Sequence, residues 1–325
     1  MYKFTNKNQL SLPLAVFLVN DTYDYDSRAT AISTTAILRS IRAIILSMQH
    51  DTLEKEVDII DLAASKLGTA FHDACENAWK NPEALKIALT AIGKEDWQNR
   101  IKINSQDLSK EDIPVYIEQR HEKKLGEYTI TGKYDVVVDG RLSDYKSTSV
   151  YSVIFGSNDQ KYILQGSIYR WLSPNIITDD YMDIEFIFTD WSKVKSLQQR
   201  DYPQNRVMTK TYPLMSLEAT EQWLTAKLRT IQTYLNADQE TLPECTDEEL
   251  WATATVFKYY KNPNKLDRST KNFDTLGAAN ARLTSEGSVG VVNEVRGQVR
   301  ACTYCNALNV CNQAKQLIIQ GRLLV

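Results

Sequence analysis

No stretch of this 325-residue chain is apolar for long enough to span a bilayer. Leu10 to Val19 comes nearest, and it is short and broken by Ser11 and Pro13. The N-terminus lacks the basic segment, apolar core and small-residue cleavage site of a secretion signal, so a cytoplasmic location is expected and no membrane partner. Charge of one sign is also missing. Thirty-eight basic residues face 41 acidic ones for a net −3, which excludes the global basic signature of a nucleic-acid binder and leaves only a local surface for such a role. No internal repeat or low-complexity tract appears. Histidine is scarce, with His50, His72 and His121 alone. Cysteine is scarce too, but three of the five lie between Cys302 and Cys311. In a cytosolic chain such crowding reads as metal ligation rather than disulfides. Hydrophobic content of 43% is ordinary, and the length allows one large domain or two smaller ones.

Taken in order, residues 1–30 read as mostly irregular, with Asp21 to Ser27 a surface loop. Asp26-Ser27 or Ser33 would cap a helix from Thr34 to Gln49, whose Ile37, Leu38, Ile41, Ile44, Ile45 and Met48 recur at helical spacing. A second helix is predicted from Lys55 to Lys80. Gly68 interrupts it at a cost of about 1 kcal/mol, which a close backbone approach would justify. Pro82 to Ile92 is a third. From Pro114 the period switches to that of strands, through Val115–Arg120, Glu127–Ile130, Lys133–Val138 and Leu142–Ser147. A helix over Asp159–Leu172, strands at Asp183–Trp191 and Arg206–Tyr212, and a helix at Leu217–Leu235 follow. The alternation is that of an α/β protein. Beyond it come a capping-box pattern at Thr246 and Glu249, a helix near Thr275–Thr284 and a Val-rich segment at Val289–Val295.

Gly132 to Lys146 carries the chemistry. Val136 to Val138 is β-branched, and Asp139-Gly140 is a strong signal for a two-residue hairpin turn. That turn opposes Val138 to Arg141, Val137 to Leu142, Val136 to Ser143 and Asp135 to Asp144. Directly opposed residues have Cβ atoms about 4.5–5.5 Å apart, and two carboxylates at that spacing repel unless a proton or cation lies between them. Lys146, two beyond Asp144, shares its face. Mg²⁺ or Mn²⁺ suits such a pair, because Mg²⁺ is bound through one or two carboxylates and keeps waters for a substrate phosphate. Solvated surface charges are the plainer alternative for the hairpin. A structural helix-face residue is the plainer one for His72, and the same holds for Gln165 and Tyr169, which share a helical face. His50 and His121 read as surface residues.

Gly68-Thr-Ala-Phe-His72, Glu118, Gly132-Lys-Tyr-Asp135, Asp144-Tyr-Lys146 and Gln165-Gly-Ser-Ile-Tyr169 stand in the order seen in RecB-type nucleases of the PD-(D/E)XK superfamily, and residues 68–170 resemble that family. The resemblance implies a restriction-endonuclease-like core, a central mixed sheet flanked by helices. It implies that His72, Asp135, Asp144 and the Tyr145 carbonyl hold the divalent ion and that Lys146 is the catalytic lysine. Gln165 and Tyr169 would position the DNA or the site, with Glu118 an additional acid. Many relatives carry Glu where this chain has Asp144, which shortens the reach to metal.

The Cys302-x₂-Cys305-x₅-Cys311 tail resembles the iron–sulfur branch of these enzymes, including AddB and the CRISPR adaptation nucleases. There the fourth cysteine lies upstream of the core. Here no cysteine precedes His72, and Cys245 is the expected fourth ligand, Cys75 reading as a small buried hydrophobe. A [4Fe–4S] cluster and Zn²⁺ both accept four cysteines, and the resemblance favours the cluster. The expected division is an N-terminal helical segment at 1–50 packed on the core, the nuclease core at 51–238 and a cysteine-cluster region at 239–325. The function implied is a metal-dependent DNA exonuclease of phage or bacterial recombination or repair. Linear single- or double-stranded DNA would be its substrate, and a recombination or single-strand-binding protein a candidate partner. The alternative is an inactive fold of the same kind used as a DNA-binding or assembly module stabilised by a Cys₄ site.

Overall fold

A computed structural model describes residues 2–21, 26, 28, 30–50 and 55–324. They form a mixed α/β protein with two compact units, residues 1–38 with 52–229 and residues 39–51 with 230–325. The first fifty residues are thereby shared between the units. Most of the loop expected at Asp21 to Ser27 lies outside the described residues. Among those described, no helix is long and apolar enough to cross a membrane.

The first unit is built on a six-stranded mixed sheet. Its order is Val207–Pro213, Tyr181–Phe188, Arg141–Thr148, Val136–Val138, Ile113–Ile117 and Ile101–Ile103. The central hairpin has the expected register, with Val138 opposite Arg141, Val137 opposite Leu142 and Val136 opposite Ser143. Asp139 and Gly140 both take positive φ, 49° and 85°, as a hairpin turn matched to strand twist requires. The parallel partner of Arg141–Thr148 is Tyr181–Phe188, reached through the helix Asp159–Leu172. Both sheet faces are covered. Val115, Ile117 and Val136 are buried with Trp79 and Tyr145 packed against them, while Val137, Leu142, Ile184 and Phe186 are buried on the face of opposite pleat. A three-stranded sheet of Ala31–Ser33, Tyr128–Lys133 and Arg120–Leu125 adjoins in sequence, and Tyr2–Thr5 pairs in parallel with Lys55–Asp58.

Several expected elements are redrawn by local hydrogen bonding. The helix predicted over Thr34–Gln49 is two helices, Thr34–Ile37 and Ile41–Gln49. Ser33 Oγ accepts from Ala36 N to start the first and Ser40 Oγ accepts from Ala43 N to start the second. The helix predicted from Lys55 begins only at Ala63. Asp58 accepts from Ile60 N, Lys7 N and Thr5 Oγ1, fixing Lys55–Asp58 as strand and Ile59–Leu62 as a 3₁₀ turn. The N-terminal residues are not irregular, since Leu12–Val19 is helical with Pro13 in its first turn. Gly68 meets no other atom within 4 Å of an added Cβ, so no backbone approach explains it; it lines the cleft described below.

The second unit holds the strands Lys271–Phe273, Val256–Tyr260 and Val291–Val295 as one antiparallel sheet, with the helices Ile41–Gln49, Leu276–Ser285 and Asn312–Ile319. Arg42, 5% exposed, donates to the carbonyls of Gln239, Leu242 and Pro243, tying its helix to the segment that carries Cys245.

At Gly140 a Cβ would also fall 2.2 Å from Thr178 Oγ1. Gly140→Ala is expected to lower stability by about 1–3 kcal/mol through its left-handed backbone. A thermal midpoint unchanged from the wild type would contradict the turn geometry.

Candidate functional site

A cleft of about 760 Å³ in the first unit receives His72, Glu118, Asp135, Asp144, Lys146, Gln165 and Tyr169. Each comes from an element placed by its own sequence. The helix Ala63–Trp79 brings His72, flanked along the cleft by Gly68 and Glu76, each four residues away. The hairpin brings Asp135, Asp144 and Lys146, and the helix Asp159–Leu172 brings Gln165 and Tyr169 one turn apart.

Asp144 is 1% exposed. Burial pushes its carboxyl up to about 6, against the pull of the Lys146 charge and with the help of nearby Asp135. Gln165 Nε2 donates to Asp144 Oδ1 at 3.1 Å and to Tyr169 Oη at 3.0 Å. Asp144 Oδ2 forms an ion pair with the Lys146 ammonium, yet it is not met by any hydrogen bond of regular geometry. Burial alone would lower the Lys146 ammonium, but Asp144 and Asp135 outweigh it and hold Lys146 above its ordinary range.

Asp135 Oδ2 accepts from Tyr145 N at 2.8 Å and lies 3.3 Å from His72 Nδ1. Burial pushes Asp135 up, but the His72 hydrogen bond and the Lys146 charge prevail and hold it below the usual carboxylate range. The same hydrogen bond raises His72. Tyr145 turns its ring to the opposite face, where its hydroxyl accepts from Trp79 Nε1 at 3.2 Å and Phe71 meets it edge-on. Only its backbone therefore belongs to the cleft side.

Glu118 has a φ of +52°, and its amide donates to the Asp135 carbonyl at 2.9 Å. Its carboxylate pairs with Lys133, and burial raises it above the usual range. His72, Glu118 and Asp135 each offer one ligand atom, and these lie within 4.8 Å of one another. The residue expected only as an additional acid thus joins the most compact donor set, while the Asp144 carboxylate sits beside the lysine. Lys133, Glu76 and Asp73 also line the cleft and were not singled out from the sequence. The signals existed. Lys133 is two residues before Asp135 on an extended segment, and Glu76 is one helical turn beyond His72. His121 is half-buried rather than on the surface, its ring stacked 5.5 Å from that of Tyr134.

In the second unit Cys245, Cys302, Cys305 and Cys311 line one small cavity with Arg42, Leu46 and Ala307. Cys245 is anchored on both sides of its peptide, its N–H donating to Gln313 Oε1 at 2.9 Å and its carbonyl accepting from Gln313 Nε2 at 3.0 Å. Burial, reinforced by the neighbouring sulfurs, pushes the Cys302 thiol up to about 11. Cys75 belongs to the first unit, half-buried near Asp135, and does not line this cavity.

No protein-family model matches the chain, and no characterised protein matches it in sequence. Among solved structures, the crystal structure of SSO0001 is similar at a TM-score of 0.40 with 15% identity, over 72% of this chain and 94% of that one. A phage-related exonuclease from Haemophilus somnus 129PT is similar at a TM-score of 0.25 with 17% identity, over 40% of this chain and 61% of that one.

The raised Asp144 carboxyl has a thermodynamic signature. Its folded value of about 6 lies above the 3.8 of an unperturbed aspartate, so this group takes up a proton on folding between them and its own contribution to stability is lost as pH rises across that window. His72, raised by Asp135, adds a loss at higher pH. In EDTA, Asp144→Asn is expected to flatten the lower limb and leave the upper one. Urea midpoints measured against pH that keep their full lower slope in the variant would refute this.

Proposed function

We propose that the chain is a divalent-cation-dependent deoxyribonuclease with a PD-(D/E)XK core of the restriction-endonuclease type, acting as an exonuclease in phage or bacterial recombination or repair. One observation carries the reading. Ligand atoms of His72, Glu118 and Asp135 lie within 4.8 Å of one another in an open cleft that the buried Asp144 and its partner Lys146 also line. Carboxylates gathered this closely repel one another unless a proton or cation lies between them, and a divalent ion with one imidazole ligand would meet that need.

The donor set fits Mg²⁺ or Mn²⁺, since carboxylate oxygens with one imidazole suit hard divalent ions. Asp135, Asp144, His72 and Glu118 would hold the ion, with the Tyr145 carbonyl as a further donor. When bound, it supplies Lewis-acid polarisation of the phosphodiester and acidifies a water. The protein's own groups do the rest. Lys146 places a positive charge where the pentavalent phosphorus gathers negative charge, and it orients the attacking water. Gln165 fixes the Asp144 carboxylate by holding Oδ1, and Tyr169 holds Gln165. His72 must give up its proton before its nitrogen can ligate. This makes cation binding weaker as pH falls.

For the cysteine set we propose a [4Fe–4S] cluster with a structural role. Four cysteine thiolates would also suit Zn²⁺. The likeness of the Cys302-x₂-Cys305-x₅-Cys311 tail to the iron–sulfur branch supports the cluster, and Cys245 lines the same small cavity as the other three. DNA contact would be dominated by phosphates and therefore sensitive to salt.

Wild-type protein with Mg²⁺ or Mn²⁺ is expected to degrade end-labelled linear DNA, and EDTA or Lys146→Ala to reduce the rate at least about 100-fold. Purified wild type that leaves both single- and double-stranded substrates intact would end the enzyme reading. Anaerobically purified protein is expected to be brown with a broad visible absorbance shoulder, lost in Cys305→Ser together with much of its thermal stability. A colourless protein carrying stoichiometric zinc would replace the cluster with the ion.

A further inference from the structure

Just past the catalytic strand the chain exposes a pair of aromatic rings that the cleft chemistry does not use. Strand Arg141–Thr148 runs directly into the short helix Val150–Ile154. Tyr151 is 40% exposed and Phe155 76%, and their rings stack with centroids 6.1 Å apart and planes 24° from parallel. Neither ring serves the core. Lys195, from the helix Lys193–Gln198, donates to Tyr151 Oη at 3.1 Å and sits 5.3 Å from the ring centroid. Lys193 stands on the same short helix, which carries no acid. The guanidinium of Arg206 lies 6.0 Å over Trp191.

The acids nearby are already engaged. Asp190 accepts from Ser149 Oγ at 2.6 Å and from Val150 N at 2.8 Å, which holds the start of the helix. Asp159 is met by Lys210 and Tyr212. The patch therefore presents flat π-faces edged by cations. An apolar partner covering it would have to desolvate Lys195, whereas a polyanion with stackable bases satisfies rings and ammonium together. That combination is the one used to bind single strands with little sequence preference. The distance is right as well. Five residues separate Lys146 from Tyr151, at most about 17 Å of chain or about five nucleotides of helical rise.

We infer that Tyr151 and Phe155 form a stacking platform, edged by Lys195, that grips unpaired bases of the DNA strand entering the cleft. Single-stranded DNA, or a duplex with a single-stranded end, is then the preferred substrate. The inference rests on the nuclease reading for its substrate class, so the test measures binding without cleavage.

Full-length protein in EDTA is titrated against fluorescein-labelled oligothymidylate and against a blunt DNA hairpin, with anisotropy as readout. Phe155→Ala is expected to bind the oligothymidylate about 5- to 150-fold more weakly, the loss of one base–aromatic stack, and the blunt hairpin less than about two-fold more weakly. Phe155→Trp should bind as the wild type and Phe155→Leu as the alanine variant. Equal losses on both DNAs, no loss on either, or full binding by Phe155→Leu would each overturn the platform. So would a change of oligomeric state in Phe155→Ala by light scattering, which would make the patch a contact between copies. Protein that shows the expected losses but never cleaves with Mg²⁺ or Mn²⁺ supports the platform and removes the nuclease. Protein that cleaves while Phe155→Ala binds like the wild type does the reverse.

Discussion

Asp144 is the constraint around which the first unit is organised. The strand that carries it lies third in the six-stranded sheet, with helices on both faces, and the pleat that buries Leu142 buries Asp144 as well. A carboxylate cannot occupy such a position cheaply. The surroundings answer with one neutral donor, Gln165, on the first oxygen and one cation, Lys146, on the second. Gln165 is in turn fixed by Tyr169 from the next helical turn. Close packing helps set that turn: a Cβ at Gly132 would fall 2.9 Å from the Tyr169 ring and 2.7 Å from Leu172. The helix, the glycine of the strand Tyr128–Lys133 and the acid therefore constrain one another.

Much of this was legible because it rests on short-range rules. An Asp-Gly turn needs positive φ at both positions, and once it forms, the register of every hairpin residue is determined. That register carried Asp144 and Lys146 to one face without tertiary knowledge, while the ladder stops at Val136 and Ser143 and Asp135 reaches the cleft with its carboxylate accepting from Tyr145 N. The helix Asp159–Leu172 and the strand Val207–Pro213 likewise followed from uninterrupted periodicity. What escaped depends on side chains bonding to backbone. Ser40 divides an apolar run whose spacing reads as one helix, and Asp58 holds four residues extended that periodicity assigns to a helix. Glu118 illustrates a different limit. Its place beside His72 follows from a left-handed backbone and an amide bond to Asp135, and no local pattern announces either.

The cysteines divide along the same line. Cys302, Cys305 and Cys311 are joined by spacing, with Cys305 N donating to the Cys302 carbonyl at 3.0 Å. Cys245 joins them only through long-range anchoring by Gln313, and Arg42 fixes the carbonyls just before it from a helix some 200 residues earlier. Those partners also account for the helix Ile41–Gln49 belonging to the second unit although its sequence lies among the first unit's residues. A fourth cysteine positioned this way couples the cavity to the folding of its whole unit, because no stretch of chain can assemble the set alone.

The charge pattern of the cleft follows from pairing each acid internally. Asp144 has Lys146, Asp135 has His72, and Glu118 has Lys133. Three negative charges can then be buried without an external ion, which lets the unit fold with the cleft empty of metal. A divalent ion entering such a site competes with three resident cations rather than filling an open cage. It gains most where a resident can leave most easily. Of the three, only His72 is a partner that can lose its charge by giving up a proton below the lysine range, although Asp135 raises it. In the proposed reading, the compact set of His72, Glu118 and Asp135, with Asp144 beside it, would hold the ion. In the proposed nuclease the Lys146–Asp144 ion pair would hold the lysine at the cleft through the same acid that an ion would share.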